Sequence, residues 1–294
     1  MIKIKNVTKR YGDFVAVDGL NLEVKPGEIM GIIGHNGAGK TTTLKMITGL
    51  INPTEGVIEV MGKDISKYGV EIKKRLGFLP EESPLYENMN VTEYLLFFAE
   101  IYGLSKKTAL DRIDAILGSL KLDDRKKLTG ELSKGMKRKV AIARSLLHDP
   151  ELLILDEPNS GLDPLTSFFI IDYLKKLKNE GKTILVSAHN LFHIEYICDR
   201  VTIMKQGKLV VCDTMQDLVK KLGKREYQVI FRTDEKLDYQ KQDDNYTLKT
   251  SDIAEMSGVL KQISERNWTL VDISMRQSAL EEIYVNMMTE PVTV

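Results

Sequence analysis

The sequence predicts an α/β protein whose mostly parallel sheet is covered by helices on both faces, with a small α+β domain after it. Three largely apolar runs, at 29–34, 152–155 and 182–188, alternate with helical patterns, as buried parallel strands do. The composition changes near the end of the chain, where short strand and helix patterns begin. We therefore expect a large domain at 1–220 and a smaller accessory domain at 221–294.

The large domain is predicted to begin with antiparallel strands. Polar and apolar residues alternate over the first 30 residues, a pattern typical of strands with one solvated face. A Gly-rich turn then joins the buried strand to a helix that Gly49 closes, and short strands and turns are expected from 52 to about 68. Asn90 is expected to cap the next helix, with Glu93 in the capping-box position.

The remainder of the chain predicts helical patterning to about residue 148 and, after two more strands, a hairpin that turns at Gln206 and Gly207. A polar segment at 233–247 predicts a loop inside the accessory domain. The accessory domain is predicted to contain strands at 227–231, 246–249 and 270–275 and helices at 251–266 and 279–288.

Charge and composition exclude several classes of protein. Lys+Arg and Asp+Glu each number 42, so no net charge draws the chain to nucleic acid. No run approaches the roughly 18 apolar residues of a membrane span, and the N-terminus lacks the pattern of a signal peptide. The two cysteines, Cys198 and Cys212, have no metal-ligand spacing. We expect a protein of the reducing cytoplasm that does not bind nucleic acid.

The segment GHNGAGKT, at 34–41, fits the pattern G-x-x-x-x-G-K-[ST] of a phosphate-binding loop. Its glycines allow close approach of the backbone, and its N–H groups and the following helix N-terminus together form an anion site. Lys40 is expected to reach the β- and γ-phosphates, and the Thr41 hydroxyl to bind Mg²⁺. The predicted nucleotide-binding residues here are Gly34, His35, Asn36, Gly37, Ala38, Gly39, Lys40, Thr41 and Thr42.

Two carboxylates, Asp156 and Glu157, follow the apolar run at 152–155. Such side chains face the nucleotide crevice when they lie at the C-terminal edge of a parallel sheet. Asp156 suits outer-sphere Mg²⁺ coordination, and Glu157 is placed to orient or deprotonate an attacking water. Together with the phosphate loop, this pair predicts a nucleotide-hydrolysing enzyme in which Glu157 and Lys40 are catalytic.

Five motifs in one order make the chain resemble the ABC-type ATPases. They are the phosphate loop, LSKGM at 132–136, LLILDEP at 152–158, SGLD at 160–163 and His189. The resemblance covers roughly 1–220 and implies a P-loop NTPase fold, with a RecA-like core, an antiparallel β subdomain and a helical subdomain at about 81–149. It also implies ATP and Mg²⁺ as ligands.

The resemblance implies roles for residues outside the phosphate loop. Tyr11 would stack on adenine, and His189 would contact the γ-phosphate and help to fix the water. Asp163 would lie at the interface of a dimer in which Ser133 and Gly135 reach the ATP of the opposite subunit. Ser133 is in addition a good helix N-cap, and the positive end of its helix favours an anion.

Three residues depart from the common pattern of this family. The signature motif usually reads LSGGQ, whereas Lys134 and Met136 replace its first Gly and its Gln here. Lys134 either adds positive charge to the site or is simply solvated. Glu81 stands where the family commonly has a Gln that contacts Mg²⁺ or water. A carboxylate can also bind Mg²⁺, although it repels the carboxylates nearby, so Glu81 joins Thr41 and Asp156 as a predicted metal ligand.

A basic run occupies the start of the helix that follows Ser133. Apolar residues recur at helical spacing and predict one buried stripe, so most of Lys137, Arg138 and Lys139 is expected to be solvated. The residues of this stripe are Val140, Ala143, Leu146 and Leu147.

One phosphate loop and no membrane span predict a motor subunit that needs a second copy and a separate multispan membrane permease. The segment that starts at 77 and the C-terminal extension resemble ATP-binding subunits of ABC-2-type exporters, which include drug, antibiotic and sodium systems. We expect a homodimer, attached to the cytoplasmic face of the cell membrane through the permease. Two alternatives stay open: a soluble ABC ATPase that acts on ribosomes or nucleic acid, and a non-hydrolysing ATP-gated regulatory subunit.

Overall fold

The structure is a computed structural model that describes residues 1–188, 191–223, 225–277 and 280–289. The chain divides into two units, Met1–Met215 and Gln216–Val294. The strands described in the first unit are β1 (Ile2–Tyr11), β2 (Phe14–Val24), β3 (Ile29–Ile33), β4 (Glu55–Val60), β5 (Lys63–Asp64), β6 (Leu76–Leu79), β7 (Leu152–Asp156), β8 (Thr183–Ser187), β9 (Arg200–Lys205) and β10 (Lys208–Thr214). Its helices are α1 (Lys40–Ile47), α2 (Ile65–Lys73), α3 (Val91–Ile101), α4 (Lys106–Ser119), α5 (Lys134–Leu146), α6 (Pro164–Asn179) and α7 (Leu191–Ile197), with a 3₁₀ turn at Thr129–Glu131.

A six-stranded sheet in the order β10-β9-β3-β8-β7-β6 forms the centre of the first unit. Its strands are parallel except β10, which returns antiparallel to β9. Every residue of β3, β7 and β8 is buried, as expected for strands covered on both faces. The predicted parallel sheet is therefore confirmed. The predicted hairpin is confirmed as well: β9 and β10 are joined by a turn at Gln206 and Gly207, and both of these residues have positive φ angles.

A second sheet, in the order β2-β1-β4-β5, is antiparallel throughout. Its apolar residues join those of the central sheet and of α1 in one buried core. Ile4 of β1, Ile32 of β3 and Leu44 of α1 represent the three contributors to this core. The core thus fixes the position of the loop between β3 and α1, which carries the phosphate-binding motif.

Helix α2 was not expected from the sequence, which predicts only strands and turns as far as Tyr68. Asp64 caps this helix by accepting a hydrogen bond from the Ser66 N–H at 2.9 Å, and Ile65 and Ile72 bury one face. Tyr68 has non-helical backbone angles and Gly69 follows it. This interruption breaks the helical pattern, and packing of the two isoleucines overrides the weak local propensity.

Helices α3, α4 and α5 lie between β6 and β7 in the chain. Asn90 caps α3 as predicted: it accepts from the Glu93 N–H at 2.9 Å, while the Glu93 carboxylate accepts from the Asn90 N–H at 3.0 Å. Ser133 caps α5 by accepting from the Met136 N–H at 3.3 Å. Helix α5 is therefore anchored at its N-terminus by the serine of the signature motif.

The second unit is a four-stranded antiparallel sheet in the order β12-β13-β11-β14, with helix α9 on one face. Its core contains Val229, Phe231 and Trp268, with the last two rings stacked at 5.3 Å. The polar segment predicted as a loop contains the short strand β12, which pairs with β13 at the edge of the sheet. All three residues of β12 are exposed, so backbone hydrogen bonds and not side-chain burial hold this strand, and polarity alone did not reveal it. Its elements are β11 (Arg225–Arg232), β12 (Gln240–Gln242), β13 (Asn245–Thr250), α9 (Ile253–Glu265), β14 (Thr269–Gln277) and α10 (Leu280–Thr289), with α8 (Met215–Leu222) at the boundary.

Within the described residues, no helix is both long enough and apolar enough to cross a lipid bilayer.

Candidate active site

The phosphate loop lies between the C-terminus of β3 and the N-terminus of α1. A Cβ on Gly34 would lie 2.5 Å from the Met204 carbonyl oxygen, and one on Gly39 would lie 2.6 Å from that of Ala16. Gly37 and Gly39 also have φ angles of 81° and 99°, in the left-handed region. A side chain is therefore excluded at Gly34 and at Gly39, and the backbone of the loop can approach an anion at the start of α1 closely.

Lys40 is the first residue of α1, and its side chain folds back across the loop. Its Nζ donates to the Gly34 carbonyl at 2.7 Å and to that of His35 at 3.3 Å, and only 6% of the residue is exposed. Burial lowers the pKa of Lys40 from its ordinary value, while the charges of Glu157, Asp156 and Glu81 act in the opposite direction. Three predicted site carboxylates therefore lie close enough to Lys40 to influence its charge.

A cavity of about 340 Å³ opens beside the phosphate loop. It brings together residues that are far apart in sequence, since Glu81 and Glu157 line it with the loop itself. Asp156 is not among its lining residues; it is 1% exposed and accepts a hydrogen bond from the Ser187 hydroxyl at 2.5 Å. The cavity is lined by Phe14, Ala16, Asn36, Gly37, Ala38, Gly39, Lys40, Thr41, Thr42, Glu81 and Glu157.

Glu157 occupies a strained turn directly after β7. Its φ angle is 50°, in the left-handed region that residues with a side chain rarely adopt, and such a conformation costs roughly 1–3 kcal/mol. The Glu157 N–H donates to the Ser187 hydroxyl at 3.0 Å, so one serine at the end of β8 contacts both acidic residues. Glu157 also lines a second cavity of about 340 Å³, on the side of Asn159 and His193.

The signature motif and the SGLD segment lie next to each other. A Cβ on Gly135 would lie 3.2 Å from Thr166 Cγ2, and one on Gly161 would clash with the ammonium of Lys134. Asp163 is exposed and caps α6 by accepting from the Thr166 N–H at 2.9 Å. Ser133, Lys134, Gly135 and Asp163 do not line the cavity beside the phosphate loop, and their roles at the site of another subunit stay predictions.

Two aromatic residues, Tyr11 and Phe14, lie at one turn and are both candidates for the predicted stacking on adenine. Tyr11 ends β1 and is paired with Phe14 at the start of β2 across a tight turn. Phe14 lines the cavity, whereas Tyr11 does not; the Tyr11 ring is 50% exposed, with the Lys9 ammonium 5.1 Å from its centroid. Stacking by Tyr11 stays a prediction, as does the γ-phosphate contact of His189, which lies outside the described residues.

We expect Tyr11→Ala to raise the Kd for ATP by roughly ten- to a hundredfold, because a stacked base contributes about 1–3 kcal/mol. The turnover number should change little, since the reacting phosphate is at the other end of the nucleotide. Phe14→Ala is the matched control, and fluorescence titration with ATP measures both. A larger loss of affinity in Phe14→Ala would transfer the stacking role to Phe14.

The prediction that most of the basic run is solvated is wrong. Arg138 and Lys139 are each only 8% exposed, and Lys137 alone of the three is partly exposed. Arg138 donates to the backbone carbonyls of Asp156 and Glu157, which form the acidic turn after β7, and Lys139 donates to the Lys121 carbonyl at 3.2 Å. The run Val140–Ala143 is uninterrupted and apolar, which indicates a helix buried on several faces rather than along one stripe.

Ser187 and Arg138 are the residues of the site that sequence reasoning missed. Ser187 could have been found, because β7 and β8 are adjacent parallel strands whose C-termini meet at one edge of the sheet. The partners of Arg138 are carbonyls 18 to 58 residues away in the sequence, and no spacing pattern encodes such contacts.

A glycine-rich loop between a buried parallel strand and a helix, with an acidic turn in the same cavity, defines a P-loop nucleotide-binding protein. The profile of the ABC transporter family matches residues 17–160. A bacitracin transport ATP-binding protein of Bacillus licheniformis is 37% identical, over 98% of this chain and 97% of that protein. An uncharacterized ABC transporter ATP-binding protein of Methanocaldococcus jannaschii is 43% identical, over 77% of this chain and 82% of that protein. The chain therefore belongs to the ATP-binding proteins of ABC transporters.

Solved structures of this family share the fold. An ATP-binding subunit of an ABC transporter superposes with a TM-score of 0.70 and 32% identity, over 75% of this chain and 92% of that one. An ATP-binding cassette in a dimeric, post-hydrolysis state with ADP and Pi superposes with a TM-score of 0.68 and 28% identity, over 73% of this chain and 99% of that one. The predicted α/β fold of a P-loop NTPase is thus confirmed.

Proposed function

We propose that this chain is the ATP-hydrolysing motor of an ABC exporter. It closes into a head-to-tail dimer on binding ATP, opens on hydrolysis, and drives a separate multispan permease at the cytoplasmic face of the membrane. The observation that carries the proposal is one cavity in which the phosphate loop, Lys40 and Glu157 meet, and which Ser133 and Gly135 do not line. In the proposed dimer, each chain would contribute one half to each of two sites.

Hydrolysis in this site starts from a water held by Glu157. The γ-phosphate lies over the loop N–H groups, and the Lys40 ammonium exchanges its Gly34 carbonyl partner for phosphate oxygens. The Glu157 carboxylate accepts the proton as the water oxygen attacks phosphorus in line with the leaving β-phosphate oxygen. Negative charge spreads over the γ-oxygens. It is stabilised by Lys40, by the loop N–H groups and by the N-terminus of the partner's α5, the helix that begins at the signature motif and is called the signature helix below.

The donor set fits a Mg²⁺ ion that is bound mainly through the nucleotide. No group of three or more His, Cys, Asp or Glu side chains in the described part of the chain could hold a metal on its own. Thr41 and Glu81 line the cavity, and Asp156 is buried close enough to Lys40 for its charge to raise the lysine pKa. Mg²⁺ in such sites keeps waters and phosphate oxygens and needs one or two protein ligands, and when bound it neutralises phosphate charge.

Transport is supported by the name of one relative, and export by the name of another. The bacitracin transport protein covers nearly the whole chain, including the second unit, and a Nod factor export ATP-binding protein of Burkholderia orbicola is 40% identical over 71% of this chain. The permease is proposed to contact the Glu81 region and the helical subdomain. This placement lets movement of the permease reach a residue that lines the nucleotide cavity.

Phosphate release by the purified chain tests the proposal directly. We expect release that requires both ATP and Mg²⁺, with chelation of Mg²⁺ and Lys40→Ala each abolishing it, because each removes a stabiliser of the transferred phosphoryl group. Co-purification from membranes with a multispan protein is the second measurement. ATP binding without release would indicate a regulatory subunit, and co-purification with ribosomes would indicate the soluble alternative.

A further inference from the structure

The side chain of Arg138 lies inside the first unit, on the first turns of α5. Its guanidinium makes five hydrogen bonds, all to backbone carbonyls. Nη2 donates to Asp156 and Glu157 at 2.7 Å each, and Nε donates to Pro158 at 2.9 Å. Nη1 donates to Pro80 and Glu81 at 2.9 Å each.

These five bonds use every N–H of the guanidinium, which has one on Nε and two on each terminal nitrogen. No donor is left for a carboxylate or a phosphate, so Arg138 does not act on the nucleotide itself. Burial lowers the pKa of Arg138 to about 10, while the charges of Asp156, Glu81 and Glu157 act in the opposite direction, so the group stays charged at neutral pH. Charged donors make the stronger hydrogen bonds.

The carbonyls that Arg138 binds belong to two segments that meet at the cavity. One is the turn 156–158, where Glu157 has its strained φ of 50°. The other is the pair Pro80 and Glu81, directly after β6. A turn in the left-handed region persists only when its surroundings hold it there, and three of the five bonds hold this turn.

Arg138 also belongs to the helix that begins at the signature motif. Ser133 caps α5, and Arg138 follows five residues later, on a part of the helix that is buried on several faces. A shift of α5 would therefore move the guanidinium against the turn that carries Glu157. The contact of Arg138 with the turn 156–158 therefore links two parts of the proposed dimer. One is the Ser133 end of α5, which a chain offers to its partner, and the other is Glu157, the catalytic carboxylate of its own site.

We propose that Arg138 is a positioning residue that holds Glu157 and the Glu81 segment in their hydrolytic arrangement and links both to the signature helix. The inference rests on the proposed ATPase function. Lysine cannot replace the arginine, because an ammonium has three N–H donors and lacks the planar fork, so at least two carbonyls would lose their partner.

The test is Arg138→Lys in the full chain, with turnover and ATP affinity measured separately. We expect the turnover number to fall roughly ten- to a hundredfold, because a small displacement of a catalytic group has that effect, while the Kd for ATP stays within about threefold. Arg144→Lys is the matched control on the same helix, since Arg144 donates to the Tyr94 hydroxyl at 2.7 Å and not to the acidic turn. It should retain wild-type turnover.

A double-variant cycle separates positioning from a general structural role. In the Glu157→Gln background, measured by single-turnover hydrolysis, Arg138→Lys should slow the reaction much less than it does in the wild-type chain, because one of the two groups that it positions is already gone. An equal loss in both backgrounds would overturn the proposal. Arg138→Ala should regain turnover on addition of guanidinium ions below denaturing concentrations, but not on addition of sodium ions.

The outcomes also separate this inference from the proposed function. Absence of phosphate release by the wild-type chain would refute the ATPase assignment and leave nothing for Arg138 to position. Wild-type release, slowed in Glu157→Gln and unchanged in Arg138→Lys, would retain the ATPase and refute the role of Arg138. Unchanged ATP affinity in the variant shows that it has folded.

Discussion

Glu157→Gln should bind ATP as tightly as the wild-type chain and hydrolyse it roughly a hundred- to ten-thousandfold more slowly. The amide keeps the size of the side chain and leaves the backbone bonds to Ser187 and Arg138 in place, so the strained turn persists. It cannot accept the proton of the attacking water, and general-base catalysis contributes about that factor. Phosphate release at saturating Mg²⁺ and ATP measures the loss, and ATP titration measures affinity.

The control for this variant is Glu82→Gln, which removes a carboxylate from the same region. Glu82 is exposed and does not line the nucleotide cavity, so its replacement should leave turnover within about twofold of wild type, as for most surface changes. Undiminished turnover in Glu157→Gln would contradict the general-base assignment. Glu81→Gln would then be the next variant to measure, because Glu81 is the other carboxylate in the cavity.

The sequence predicts those parts of the fold in which one local signal determines the structure. Wholly apolar runs define the buried strands, a reciprocal Asn90 and Glu93 pair begins α3, and two positive φ angles turn the hairpin at Gln206 and Gly207. Each signal acts over a few residues. The phosphate loop is similar, since its glycines are required by the close approach of Met204 and Ala16.

The features that the sequence does not predict depend on contacts between distant segments. Helix α2 is short and interrupted at Tyr68, so its stability comes from the packing of Ile65 and Ile72 and not from propensity. Arg138 belongs to a basic run, and residues of that type are usually solvated. Only the fold brings five carbonyls around it, and the same contacts make its burial possible.

An equal mixture of two inactive variants should regain about one quarter of wild-type ATPase activity if each site contains parts of both chains. Lys40→Ala removes the lysine of the phosphate loop but leaves the signature motif intact. Ser133→Asp does the reverse: aspartate still caps α5, and its charge repels the γ-phosphate of the partner's ATP. Random pairing puts one copy of each variant in half of the dimers. Each such dimer has one intact site of two, made of the unchanged phosphate loop of one chain and the unchanged signature motif of the other, so about one quarter of all sites are intact.

The size of the recovery distinguishes a shared site from a site within one chain. Each variant alone should release phosphate at least roughly a hundredfold more slowly than wild type, because loss of a transition-state donor has that effect. Ser133→Asn is the control for the cap, since asparagine keeps the hydrogen bond to the Met136 N–H without the charge, and it should remain active. A mixture that stays inactive would mean that Ser133 does not complete the partner's site. Recovery should depend on ATP, because in the proposed closed dimer the Ser133 end of α5 meets the phosphate loop of the other chain.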